Sequence, residues 1–411
     1  MTRPGSHGTI VVTVSSEPNI VERLRENHER VHISIGAVCN NNCIFCMEED
    51  RDGRYVSNSA MTGSRVRWVL ESNRGAEEVC FTSGEPTTRE DLPDFVAWAK
   101  ALGYPRISLM TNGRRLGHLP YAAALVRRGL NRVYISIHGH EPTLHEGLTR
   151  TPGSFDQTLA GIDAAAKLAR WGVELHTSTV VTKRNLPHLG AIYRLLRSRG
   201  VNQVVFNVMQ ANGRANTHFE RIFPRYSEIA AEFRRMLAGL DEPRPRAFLV
   251  DIPLCTTESL PDHARGYVEK YRHFDPEAGA PPEALEGSRA PGKGLVLITR
   301  SDLDLAERVK REECQSCRYD AWCEGVWKNY LARYGWDEMV PVAMPVASVT
   351  AAGCVRVLPP PVAASSTATS ATTLPPVAFW PLGYGDISRG WSTLSCMETA
   401  TDSCSVFAMG C

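Results

Sequence analysis

The sequence predicts an α/β fold, a partial (β/α)6 barrel of the TIM type followed by a small cysteine-rich domain. Three observations predict it. Six apolar, β-branched segments at 31–36, 78–82, 106–110, 132–137, 174–181 and 203–209 alternate with stretches whose apolar residues recur every three or four positions. Cys39, Cys43 and Cys46 come directly after the first segment, where a barrel of this kind carries its functional rim. Cys314, Cys317 and Cys323 come after the last segment, with Cys255 upstream of them.

Residues 1–30 hold a strand candidate at 9–14 and a short helix, expected to cap the bottom of the barrel. Residues 31–240 supply the barrel, with helical patterns at 92–102, 121–128, 155–171 and 189–199. Strands alternating with such helices favour a parallel sheet with right-handed crossovers. The loops after the strands then open on one rim. There the sequence places the cysteine triplet, Ser83-Gly84-Glu85-Pro86, Thr111-Asn112-Gly113, and Ser136 with His138, Gly139 and His140. Lys183-Arg184-Asn185 follows the fifth strand, and Asn207, Met209 and Gln210 end the sixth.

The triplet spacing, CX3CX2C, returns three sulfurs to one small object. Thiolate selects zinc, copper(I) or iron–sulfur clusters. A structural zinc site closes its tetrahedron with a fourth protein ligand, and the loop offers no fourth cysteine or histidine. A cubane on three cysteines leaves one iron open.

This spacing resembles that of the radical S-adenosylmethionine (radical SAM) superfamily. The resemblance implies a 4Fe–4S cluster on Cys39, Cys43 and Cys46, with S-adenosylmethionine chelating the open iron and yielding a 5'-deoxyadenosyl radical on reduction. It also implies a reductant such as flavodoxin or ferredoxin. Ser83-Gly84-Glu85-Pro86 resembles the Gly-Gly-Glu-Pro motif of that superfamily, which holds the methionine amino group, with Ser83 in place of the first glycine. The other reading of this run is a strand-to-helix turn with Pro86 in the first turn. Thr111, Asn112 and Ser136 resemble stations that face the cofactor in the molybdenum-cofactor and peptide-modifying branches. Lys183 matches a cofactor-contacting position in the former, against the alternative of a surface lysine. Met209 is placed to line the same pocket or to fill the core. His138, His140 and His145 share one predicted loop without a recognised zinc signature, and His138 is a candidate for substrate contact.

The second cysteine group, Cys314, Cys317 and Cys323 with Cys255, has enough ligands for a further 4Fe–4S cluster. It resembles the SPASM and Twitch auxiliary-cluster regions of radical SAM maturases. Trp327 stands where SPASM regions continue with another cysteine, which implies one auxiliary cluster. A four-cysteine zinc site is the alternative. Residues 241–342 therefore comprise a Pro-, Glu- and Arg-rich linker and the auxiliary domain, closed by an amphipathic helix from 325 to about 335. Residues 343–411 are rich in Ser, Thr, Ala and Pro without period, and disorder is expected there.

A net charge of +1 over 411 residues gives no basic field for a nucleic-acid partner. No apolar run is long enough to span a membrane, and the first residues lack an apolar signal core. Metal-like spacing for seven of the twelve cysteines suits a reducing compartment, so the cytoplasm is expected. The two-part layout resembles enzymes that modify ribosomally made peptides, and a peptide is the leading substrate expectation. A small molecule such as a nucleotide, cofactor precursor or sugar is the rival. A non-catalytic zinc-binding protein is the reading from another class.

Overall fold

The computed structural model describes residues 11–12, 30–36, 38–47, 62–242, 245–261, 264, 272–274, 307–320, 323–343, 347–349 and 355–357. The strands are β1 (Val11–Val12), β2 (Arg30–Ser34), β3 (Glu78–Thr82), β4 (Arg106–Thr111), β5 (Arg132–Ser136), β6 (Glu174–Val181), β7 (Gln203–Val208), β8 (Ala247–Val250), β9 (Arg272–Phe274), β10 (Arg308–Val309), β11 (Val326–Trp327), β12 (Ala347–Val349) and β13 (Val355–Val357). The helices are α1 (Gly63–Ser72), α2 (Leu92–Ala101), α3 (Leu119–Arg128), α4 (Pro142–Thr149), α5 (Ser154–Leu168), α6 (Leu189–Ser198), α7 (Gly213–Thr217), α8 (Phe219–Ile222), α9 (Tyr226–Ala238) and α10 (Lys328–Tyr334).

Strands β2 to β8 pair in sequence order, all parallel, and β9 adds to the outer edge of β2. The edge strands β8 and β9 do not pair, so the barrel stays open. All six expected strands are present. The sheet also gains β8, in a stretch that reads as linker. Four apolar residues bounded by Pro245 and Pro253 are too few to show alternation, yet Val204 to Asn207 pair with Ala247 to Val250.

Alternation along each strand sorts the two faces. Val31, Ile33, Val79, Phe81, Ile107, Leu109, Val133, Ile135, Val204 and Phe206 are buried in one core under the helices. The opposite face carries Arg30, Ser34, Glu78, Thr82, Met110, Arg132, Ser136, Ser178 and Asn207, with Val180, Val205, Phe248 and Val250 towards the β8 edge, so the lumen is mixed and polar mainly between β2 and β6. At the strand starts, the Arg132 guanidinium bonds Glu78 at 2.7 Å and Glu174 at 2.5 Å, and Arg30 reaches Glu78 at 3.3 Å. Burial pushes the Glu78 carboxyl up, but the Arg30 and Arg132 charges outweigh it and hold it below the usual range. Breaking one such buried pair costs roughly 3–5 kcal/mol. This network ties the strand starts together, at the end of the sheet opposite the cysteine loop.

The helix expected from 325 begins at Lys328, because Val326 and Trp327 pair with Val309 and Arg308 instead. It ends at Gly335, whose φ of +65° no side chain adopts cheaply. Tyr330 stacks on Tyr226 with ring centroids 3.9 Å apart, packing α10 on α9. Within 9–14 only β1 is described, paired with β12. The expected N-terminal helix lies outside the described residues. So does the stretch from 343 to 411 beyond residue 343 itself and the paired strands β12 and β13.

Candidate metal centre

The loop after β2 brings Cys39, Cys43 and Cys46 to the open mouth, each partly buried and none in a disulfide. Burial pushes the Cys43 thiol far up, and the neighbouring Cys39 and Cys46 push it further. Three such thiolates repel one another unless a cationic centre lies between them. The donor set of soft sulfurs fits iron–sulfur or zinc chemistry. Among the described residues, no three Cys, His, Asp or Glu side chains stand close enough to hold a single metal ion.

The loop is held from three sides. Helix α4 ends with its Leu148 and Thr149 carbonyls accepting the Ile44 and Asn42 amides, each at 2.9 Å, which satisfies groups that a helix end leaves over. Arg114 donates to the Asn40 carbonyl and, at 2.9 Å, to Asn41 Oδ1. Arg214 donates to Asn42 Oδ1 at 2.5 Å and to the Cys43 carbonyl at 3.1 Å, while its own amide donates to the Cys46 carbonyl at 2.9 Å.

Glu85 is the node beside the loop. Its buried carboxylate accepts from the Thr87 amide at 3.1 Å, the Thr87 hydroxyl at 2.5 Å, the Thr111 hydroxyl at 2.6 Å and the Asn112 amide at 2.6 Å. Burial nevertheless leaves its pKa raised, with those hydrogen bonds pulling the other way. With four protein donors the carboxylate ties the ends of two neighbouring strands to one node. Ser83 and Gly84 both lie at positive φ, +74° and +55°, and the Glu85 amide donates to the Val38 carbonyl. Pro86 opens a buried 3-10 turn, as the turn reading expected. Asn112 also reaches Asn40 Oδ1 at 2.5 Å, joining the end of β4 to the cysteine loop.

Ser136 is half-buried at its strand end. Lys183 and Met209 do not join the cluster of rim groups. The Lys183 ammonium donates to the Glu220 carbonyl at 2.8 Å on an exposed face, and Met209 is buried in the core. The histidines do not share one loop, since His145 lies on α4. Its Nδ1 accepts the His138 amide at 3.1 Å, and the two rings stack at 5.8 Å. Burial keeps both neutral, with His145 lowered to about 4. His138 also packs edge-on against Phe45 of the cysteine loop at 4.7 Å.

The second cysteine group comes together although Cys255 is far away in sequence. Burial raises the Cys255 thiol to about 12, and Cys323, Cys317 and Cys314 each add to the rise. The Gly325 amide donates to Cys323 Sγ and the Val342 amide to Cys317 Sγ, both at 3.4 Å.

Sequence reasoning missed Arg114, Arg214 and α4. The available signal was the tripeptide Asn-Gly-Arg, which occurs at 112–114 and again at 212–214, each time just past a barrel strand. Helix α4 has no such mark beyond Pro142 at its first position.

Residues 33–196 match the radical SAM superfamily. A probable GTP 3',8-cyclase of Saccharolobus islandicus (strain M.14.25 / Kamchatka #1) is 31% identical over 187 residues, 45% of this chain and 58% of that protein. One of Sulfolobus acidocaldarius is 30% identical over 179 residues, 43% of this chain and 54% of that protein. The chain thus matches little more than half the length of these relatives. Among solved structures, Streptococcus suis SuiB bound to precursor peptide SuiA is similar with a TM-score of 0.50 at 13% identity, over 78% of each chain, a likeness of fold.

Proposed function

We propose that the chain, whose residues 33–196 match the radical SAM superfamily, is an enzyme of 4Fe–4S and S-adenosylmethionine chemistry that abstracts hydrogen from a peptide admitted through the open mouth of the barrel. Bound together, the cluster and S-adenosylmethionine supply a 5'-deoxyadenosyl radical. The protein's part is to hold Cys39, Cys43 and Cys46 in register, to present the Ser83-Gly84 backbone, and to keep water from the reacting atoms. Thr111, Asn112 and Ser136 flank that place. Cys255, Cys314, Cys317 and Cys323 hold one auxiliary 4Fe–4S cluster, and a flavodoxin- or ferredoxin-type protein in the cytoplasm delivers the electron.

The observation that carries the peptide reading is the upper lumen. Thr82, Met110, Ser136, Ser178 and Asn207 are neutral, and the lumen arginines Arg30 and Arg132 are bound to Glu78 at the strand starts. Hydroxyls and amides suit a neutral chain; a triphosphate calls for arginine or lysine. A nucleotide substrate is the second reading, favoured by the relatives described as probable GTP 3',8-cyclases.

The test is anaerobic reconstitution followed by reduction with S-adenosylmethionine. Iron, sulfide and 5'-deoxyadenosine are expected from the full chain and no 5'-deoxyadenosine from Cys43→Ala. Zinc without iron would overturn the reading in favour of a binding protein. Adding GTP or deuterated candidate peptides from neighbouring reading frames then separates the substrates. Deuterium entering 5'-deoxyadenosine from a peptide supports the first reading, and GTP consumption supports the second.

A further inference from the structure

The two Asn-Gly-Arg tripeptides follow β4 and β7, the second leading into α7, and both glycines take positive φ, +76° at Gly113 and +51° at Gly213. Neither position has room for a side chain. A Cβ on Gly113 would stand 2.7 Å from Ile135 Cγ2, and one on Gly213 would stand 1.8 Å from the Met47 carbonyl oxygen. Each turn therefore delivers its arginine at a fixed height over the loop. Arg114 takes the first half, at Asn40 and Asn41, and is itself steadied by Gln157 Oε1 at 2.6 Å. Arg214 takes the second half, at Asn42, Cys43 and Cys46.

The two arginines differ in what their charge meets. The Arg214 guanidinium lies 3.1 Å from the Cys43 carbonyl and its own amide 2.9 Å from the Cys46 carbonyl, so its charge is held against the backbone of two of the three cysteines. Arg114 spends its donors on Asn40, Asn41 and Gln157. A cluster on three thiolates gains a full negative charge when it accepts an electron from the reductant. A fixed cation bonded to the backbone of two of its cysteines stabilises that reduced state more than the oxidised one, and net charge and hydrogen bonding around the cluster are among the determinants of its potential.

We propose that Arg214 is a positioning residue that holds the Cys43–Cys46 half of the loop and sets how readily a cluster on Cys39, Cys43 and Cys46 accepts its electron, while Arg114 fixes the other half mechanically. This rests on the radical SAM reading above. The test uses the anaerobically reconstituted full chain and an electron paramagnetic resonance redox titration of the signal that S-adenosylmethionine perturbs, which separates this cluster from any auxiliary one. In Arg214→Met the reduced-to-oxidised ratio at a fixed potential is expected to fall about tenfold, which is about 59 mV for one electron. Arg214→Lys, which keeps the charge, is expected to stay within about twofold of wild type, and so is Arg114→Met, with lower iron content in the latter. Should Arg214→Met not load, Arg214→Gln, which keeps a donor without the charge, makes the same comparison. A loaded neutral variant with an unshifted ratio, or Arg214→Lys shifting as far as the neutral variant, overturns the inference alone. A wild-type chain with no S-adenosylmethionine-perturbed signal overturns the radical SAM reading and this inference with it.

Discussion

The Thr111 hydroxyl donates to the Glu85 carboxylate across 2.6 Å, tying the ends of neighbouring strands β3 and β4 beneath the cysteine loop. Asn112 extends the tie, with its amide on the other carboxylate oxygen and its side chain on Asn40. Glu85→Gln replaces two acceptor oxygens by one, leaving buried donors unmatched. Each unsatisfied group costs about 1–3 kcal/mol. The expected result is a lower melting temperature together with weaker S-adenosylmethionine binding by calorimetry, and a smaller effect of the same kind in Thr111→Val. An unchanged melting temperature in Glu85→Gln would mean that the node does not order the rim.

Gly213 offers a sharper probe of the loop, because the atom a Cβ would strike is backbone. Gly213→Ala must displace Met47 or the Asn-Gly-Arg turn, and overpacking of this kind costs about 1–3 kcal/mol. Gly75, where a Cβ meets nothing within 4 Å, is the control. We expect iron per chain to drop in Gly213→Ala and to hold in Gly75→Ala, measured after identical anaerobic reconstitution. Equal iron in both would show that the turn has slack.

The barrel was legible because its outer face is uninterrupted: Val31, Ile33, Val79, Phe81, Ile107 and Leu109 alternate with polar partners over strands long enough to show the period. β8 was not, since four residues between prolines show no period. Its place is set by pairing with β7, a tertiary effect. The same division holds at the site. Local spacing revealed the cysteine triplet and Glu85. The grip of Arg214 on Cys43, 171 residues earlier, is a long-range contact that local pattern does not encode. Trp327 misled for a related reason, since its apolar character fitted a helix start but its backbone pairs with Arg308.

His145 gives a pH dependence with a definite sign. Its ordinary value of 6.5 falls to about 4 in the folded chain, because burial disfavours the imidazolium and Arg114 adds repulsion. Above pH 6.5 the folded and unfolded forms are both neutral and the group contributes nothing to the slope. Below it the unfolded chain takes up a proton that the folded chain refuses, so stability falls as pH drops from 6.5 towards 4, by up to about 3 kcal/mol. His138, lowered in the same direction by burial and His145, steepens the same window. His145→Asn keeps an acceptor for the His138 amide and removes the titration. Denaturant melts between pH 7 and pH 4.5 should show a shallower decline in that variant; parallel curves would place the acid sensitivity elsewhere.

Cys255 separates a four-ligand auxiliary site from a three-ligand one. Its thiol is raised by burial and then by the charges of Cys323, Cys317 and Cys314, although 58 residues lie between it and Cys314. Removing it leaves three sulfurs for a centre that four would fully ligate. Cys255→Ser is therefore expected to fall from about eight iron per chain towards about four, while 5'-deoxyadenosine formed without substrate stays near wild type, because the Cys39, Cys43 and Cys46 loop is untouched. Cys43→Ser should show the reverse, keeping about four iron and losing 5'-deoxyadenosine. If Cys255→Ser retains all its iron, the residue is a bystander packed against the site. If instead it loses zinc and no iron, the second group is a structural zinc centre and electron traffic through it is ruled out.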